Sequence, residues 1–137
     1  MRVLGIDFGF KRIGVAVGET GAGVASARPP LEAAGALKRD AERISLLARR
    51  EEADAIVVGL PLEKGVEGRM ARICRTLGEH LASLGERVEF VDESLSSVEA
   101  EATLRGDDLK ASQRRKLRDG EAARLILERY MHEEASR

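Results

Sequence analysis

Aromatic residues are scarce: the 137-residue chain has no Trp, one Tyr and three Phe. That is too few to line a groove with the stacking platforms that single-strand binders commonly use, so any nucleic-acid contact should run mainly through backbone phosphates. Cysteine is nearly absent. The single Cys74 excludes an internal disulfide and every Cys-based zinc motif, and suits a reducing compartment. Its position beside Ile73 and Leu77, with no histidine near in sequence to activate it, marks it as a small core residue without chemistry. An excess of one charge is missing too. Lys and Arg number 23 against 24 Asp and Glu, a net charge of −1, so no global positive field draws the molecule to nucleic acid and a local basic patch would have to do so. No apolar run approaches membrane-spanning length, the longest lying around Ala55 to Leu62, and the opening MRVLGIDFG lacks the long apolar stretch of a signal peptide. The expectation is a cytoplasmic protein with no membrane partner.

What is present is enough for a core. Hydrophobic residues make up 43% and charged residues 34%, at a length usual for one domain, so residues 1–137 are expected to form a single domain. Val3 to Phe8 and Ile13 to Val17 are apolar runs separated by Gly9-Phe10-Lys11-Arg12, a hairpin pattern. Gly23 to Arg28 reads as a third, edge-like strand that Pro29-Pro30 should end. From Leu37 the spacing turns helical, with Ala41, Ile44, Leu47 and Ala48 on one face. Ala55 to Pro61, β-branched in its middle, suits a strand buried on both faces. Met70, Ile73, Leu77, Leu81 and Leu84 mark a helix ending at Gly85, and Val88 to Val91 is a strand running into Asp92-Glu93-Ser94. Ser96 or Ser97 should cap a short helix to about Leu104, and Gly106 to Ser112 should be a loop. A last helix carries Ala122, Ala123, Ile126, Leu127 and Tyr130 on its apolar face. The class is α/β: a mixed five-stranded sheet, three leading antiparallel strands and then parallel ones, with helices on both faces.

Three acidic positions stand out against this framework. Asp7 interrupts an apolar strand that should be central, where an isolated carboxylate costs several kcal/mol unless a cation or backbone N–H groups satisfy it. Asp92 and Glu93 follow a strand, so at least one points off its end, where ligands gather in parallel sheets, although an ordinary acidic turn would read the same. Steps of three and four back from Tyr130 through Ile126, Ala123 and Ala122 reach Asp119, placing it on the sheet-facing side of its helix or, alternatively, at an N-cap. Like charges brought together need a counter-ion, and oxygen ligands suit Mg²⁺ or Mn²⁺. Sites of that kind most often hydrolyse phosphodiesters. Cations flank the acids: Lys11 and Arg12 after Asp7, and Lys110, Arg114, Arg115, Lys116 and Arg118 before Asp119, which suits a phosphate backbone or a solvated helix face. His80 and His132 are not spaced to join a site, and Gly59, Gly65 and Gly68 match no phosphate-binding motif.

The blocks Asp7-Phe8-Gly9-Phe10-Lys11-Arg12-Ile13-Gly14-Val15-Ala16, Val58-Gly59-Leu60-Pro61, Val91-Asp92-Glu93-Ser94-Leu95-Ser96, and Asp119 with Ala122-Ala123 and Ile126-Leu127 resemble, in order, the YqgF family, also called RuvX. The resemblance implies a ribonuclease-H-like fold related to Holliday-junction resolvases, a cytoplasmic location and a role in maturing the 5′ end of pre-16S ribosomal RNA. It carries the family's acidic positions onto Asp7, Glu93 and Asp119 and its basic position onto Lys11 and Arg12. There are departures: Glu19 stands where Asp is usual, Ser94 where Arg is usual, and the loop after Leu60-Pro61 is shorter, without the usual Asn and Asp-Gly-Thr elements. The reading is a Mg²⁺- or Mn²⁺-dependent nuclease with Asp7, Glu93 and Asp119 as metal ligands, acting on RNA in preference to branched DNA, as a monomer or homodimer. A junction resolvase would need the dimer to cut two strands symmetrically. A binding module with little activity is the alternative from another class. The two-domain actin and sugar-kinase class, whose first strands look similar, needs more chain than there is.

Overall fold

The computed structural model describes residues 1–93 and 111–136, those of 111–118 by backbone alone. β1 (Arg2–Asp7), β2 (Arg12–Glu19) and β3 (Val24–Glu32) form an antiparallel meander, followed by α1 (Leu37–Arg50) and β4 (Ala55–Leu60). A small hairpin, β5 (Leu62–Glu63) and β6 (Val66–Glu67), precedes α2 (Arg69–Ser83), β7 (Val88–Asp92) and the long α3 (Ala111–Ala135). The main sheet is five-stranded in the order β3-β2-β1-β4-β7, with β4 parallel to β1 and β7 parallel to β4. This is the mixed sheet that the alternation of elements implied.

Period-two alternation sorts the side chains onto two cores. Leu4, Ile6, Ile56, Val58 and Leu60 face α1 and α2, meeting Ile44, Cys74, Leu77 and Leu81. Val3, Ala55 and Val57 face the other way, against Ala123, Ile126, Leu127 and Tyr130 of α3. All six residues of β4 are buried, as a strand covered on both faces requires.

Three expectations are corrected. Pro29 and Pro30 do not end β3, which continues to Glu32. β3 is an edge strand, and the prolines coincide with a register shift opposite Ile13 to Val15, where missing N–H groups break no ladder. The loop after Leu60-Pro61 contains the β5–β6 hairpin, whose two-residue turn, Lys64-Gly65, has φ of 52° and 78°. That is the left-handed pair a tight hairpin turn needs, and Gly65 supplies half of it cheaply. Ala111 and Ser112, read as the end of the Gly106–Ser112 loop, are helical and belong to α3. The helix expected from Ser96 or Ser97 to Leu104, the rest of that loop and Ser94 lie outside the described residues. Gly85 does follow α2, with φ of 91°, as a helix-terminating glycine does.

Candidate active site

Because β1, β4 and β7 run parallel, their carboxyl ends share one edge of the sheet. Asp7 is the last residue of β1 and pairs with Gly14 of β2. Beyond the end of β7, the N–H of Glu93 still donates to the carbonyl of Leu60 at 3.0 Å, which extends the ladder by one residue. Alternation then separates the two acids that close β7: Asp92 is exposed, while Glu93 is buried, 9% accessible, with its carboxylate over Gly59. A Cβ on Gly59 would lie 2.6 Å from Glu93 Oε2 and 2.6 Å from Ile126 Cδ1. Only glycine leaves room there for both the carboxylate and the helix.

A second glycine seats the third acid. A Cβ on Gly14 would overlap the carbonyl oxygen of Asp119 and stand 3.3 Å from Asp7 Cβ, so the Asp119 backbone and the Asp7 side chain both border that bare position. Asp119 is on the sheet-facing side of α3, well inside the helix rather than at its N-cap. Its Oδ2 accepts from Arg12 Nε at 2.7 Å, both side chains being largely shielded. Arg12 is therefore committed to an acid of this site, whereas Lys11 is exposed in the β1–β2 turn. Lys110 lies outside the described residues, and nothing is described of the side chains of Arg114, Arg115, Lys116 and Arg118.

The thiol of Cys74, fully buried on the opposite face, registers the acids electrostatically. Burial pushes it up to about 12, with the charges of Glu93 and then Asp7 adding to the effect. It is an inert core cysteine. Neither His80 on α2 nor His132 on α3 has a place among these acids. Glu19 pairs with Arg2 at 3.5 Å, at the end of β1 remote from Asp7, so the departure at this position lies away from the acidic edge.

Among the described residues, no three His, Cys, Asp or Glu side chains come together in a set that could hold a metal ion. The donors suit a hard divalent cation in kind, all carboxylate oxygen, and the bare positions at Gly14 and Gly59 are what let the Asp119 backbone and the Glu93 carboxylate come in over the sheet. The Asp119 carboxylate, however, is turned to Arg12, and it would have to exchange that partner to complete a three-acid set.

The model of the RuvX family, described as Holliday junction resolvase, matches residues 1–133. A relative from Anaeromyxobacter sp. (strain K), designated provisionally a pre-16S rRNA nuclease, is 41% identical over 98% of this chain and 99% of its own. The chain belongs to the RuvX family. A Myxococcus xanthus (strain DK1622) relative with the same designation is 39% identical over 96% of this chain and 87% of its own. Among solved structures, Thermus thermophilus RuvC in complex with a Holliday junction substrate superposes with a TM-score of 0.55 at 16% identity, covering 98% of this chain and 96% of that one. The fowlpox virus Holliday junction resolvase gives 0.55 at 14% identity over 97% and 99%. These likenesses establish the resolvase-type ribonuclease-H-like fold that the motif blocks implied.

The linear sequence does not single out Gly14 or Gly59 as seats for the acids. Gly59 lies within the strand expected from Ala55 to Pro61, and the period-two rule applied from Val57 puts it on the α3 face. The Arg12–Asp119 pair, 107 residues apart, has no signal in sequence.

Proposed function

We propose that the chain is a metal-dependent nuclease cleaving phosphodiester bonds, acting in 5′-end processing of pre-16S ribosomal RNA, with Asp7, Glu93 and Asp119 as its catalytic carboxylates. The observation that carries this reading is the seating of three acid-bearing positions, from β1, the end of β7 and α3, around bare Gly14 and Gly59 at the carboxyl edge of the parallel strands. The names of the relatives agree with it. Bound Mg²⁺ or Mn²⁺ would supply water activation and charge neutralisation at the leaving oxygen.

The chain's own residues would divide the remaining work. Asp7 closes the central strand β1. Glu93 is anchored through its own N–H, so its carboxylate reaches back over β4. Arg12 orients Asp119 and offsets part of the negative charge at this edge. Lys11, Lys110, Arg114, Arg115, Lys116 and Arg118 would meet phosphates, which positions a strand without reading its sequence. In this reading residues 1–137 form one cytoplasmic domain, and a monomer suffices.

Cleavage of matched single-stranded RNA, single-stranded DNA and four-way DNA in Mg²⁺ and in Mn²⁺ tests the proposal, with RNA expected to be cut first. Paired, symmetric nicks in the junction where RNA stays intact would move the substrate to branched DNA. That second reading is favoured by the family's own description and requires a two-fold dimer. Binding without cleavage under every condition would leave a nucleic-acid binding module.

A further inference from the structure

Three residues beyond Asp7, the β1–β2 turn carries Phe10, which is 63% exposed, whereas Phe8 is buried and Phe90 partly buried. Phe10 meets Phe8 edge-on, with ring centroids 6.0 Å apart and an interplanar angle of 87°, so the two rings do not stack on each other. Beside them opens a pocket of about 150 Å³, walled by Phe8, Phe10, Leu37, Ile73 and residues of the loop 33–36. Drug-sized ligand sites run from about 300 Å³ upward, so this one has room for little more than a single flat ring system.

The pocket is built rather than incidental. The N–H of Ala33 donates to the carbonyl of Lys11 at 2.9 Å, which ties the loop to the Phe10 turn. Asp40, 1% accessible, accepts from the N–H of Ala34 at 2.8 Å and braces the same loop from α1. Gly35, at φ 83°, lets the chain turn just after these two ties. Lys11, exposed, follows Phe10 in the turn, and the buried Asp40 completes an otherwise apolar lining.

We propose that this pocket receives one unstacked nucleobase of a single strand whose backbone passes Asp7, with Phe10 as the stacking surface and Lys11 beside it for the adjoining phosphate. An exposed aromatic ring with a lysine next to it is the chemistry that takes a base and its phosphate together, and a stack of this kind is tolerant of base identity. The proposal rests on the nuclease reading and deepens it: a strand would be gripped by one base next to the acidic edge. A platform of one residue is compatible with the general shortage of aromatics.

Because the chain has no Trp, Phe10→Trp puts its only indole at the pocket mouth. The full chain in excess chelator, so that nothing is cut, is titrated with a short single-stranded oligoribonucleotide and, separately, with inorganic polyphosphate, a polyanion without bases. The oligonucleotide should quench the indole emission and polyphosphate should not. Phe10→Ala should weaken oligonucleotide binding on the order of tenfold, with its salt dependence unchanged, since a lost stack releases no counterions. Phe10→Leu, apolar but without a ring face, should not restore affinity, whereas a purely structural role would be rescued. Unquenched emission, with wild-type affinity in Phe10→Ala and salt-dependent binding intact, would overturn the base pocket, free it for an apolar group of a protein partner, and leave the nuclease reading standing. No oligonucleotide binding at any salt concentration would remove both.

Discussion

At the scale of single residues, the site's acids differ in what holds them. Asp7 and Asp119 share a glycine seat, and Asp119 rests its carboxylate on the guanidinium of Arg12 at 2.7 Å. Asp7→Asn should abolish cleavage while leaving thermal stability unchanged or slightly raised, because it removes negative charge from a crowded acidic edge. Asp119→Asn should also abolish cleavage, but at a cost of about 1 kcal/mol, since it strands Arg12 in a partly shielded position. Thermal melts beside single-turnover assays separate the two, and an active Asp7→Asn protein would end the catalytic assignment. The equal treatment of these acids that sequence reasoning suggests fails because the ion pair joins residues 107 apart. Two other groups bear on stability at alkaline pH. Cys74 is pushed up to about 12 by burial, and Tyr130 is raised by burial and by donating its hydroxyl to Glu89. A raised folded-state value favours the protonated form, so this contribution is complete below about pH 9, where the unfolded thiol begins to ionise, and is lost as pH climbs through the folded values. Urea midpoints should fall from about pH 9 upward, and Cys74→Ala with Tyr130→Phe should flatten that slope.

Elements meet at this site through absent side chains. Helix α3 comes close enough to place Asp119 beside Asp7 because the sheet beneath it has no Cβ at Gly14, and Glu93 folds inward because β4 has none at Gly59. The helix's own small residues matter too: Ala122 and Ala123 are buried there, and a Cβ on Gly120 would stand 3.1 Å from Ala27 Cβ and 3.3 Å from the carbonyl oxygen of Arg28. The strands supply the rest of the room. Gly59→Ala should cost roughly 1–3 kcal/mol and reduce cleavage by displacing Glu93, whose flexible side chain can yield. Gly14→Ala should be worse in both respects, because its new methyl would meet the Asp119 backbone, and a helix can yield only by moving as a whole. If melting temperature and activity were both unchanged in Gly14→Ala, the close approach of α3 would be disproved. The hairpin of β1 with β2 and the strands β4 and β7 were legible from their apolar runs and the glycine-containing turn. The continuation of β3 through Pro29 and Pro30 was not, because a proline's effect depends on whether its strand has a neighbour on that side.

The whole molecule has an acidic edge, an apolar pocket at the β1–β2 turn and almost no net charge. Its grip on a polyanion must then be local, and the segment from Lys110 to Arg118 is the densest run of cations in the chain. Neutralising Arg114, Arg115 and Lys116 together should weaken binding to RNA and DNA alike and lower the slope of log affinity against log salt by up to about 3, roughly one unit for each phosphate no longer neutralised. An unchanged slope would make that run a solvated helix face. What the linear chain determined by itself was the order and kind of the five main strands and three described helices, the two-faced sheet and the acids worth watching, because periodicity and burial cost act within a few residues of one another. Which acid of Asp92-Glu93 turns inward, where Arg12 spends its charge, and how Phe10, Leu37 and Ile73 come to share a pocket were decided only in three dimensions. Those outcomes depend on strands and helices far apart in the chain, whose meeting geometry is set by packing, and packing has no period to read.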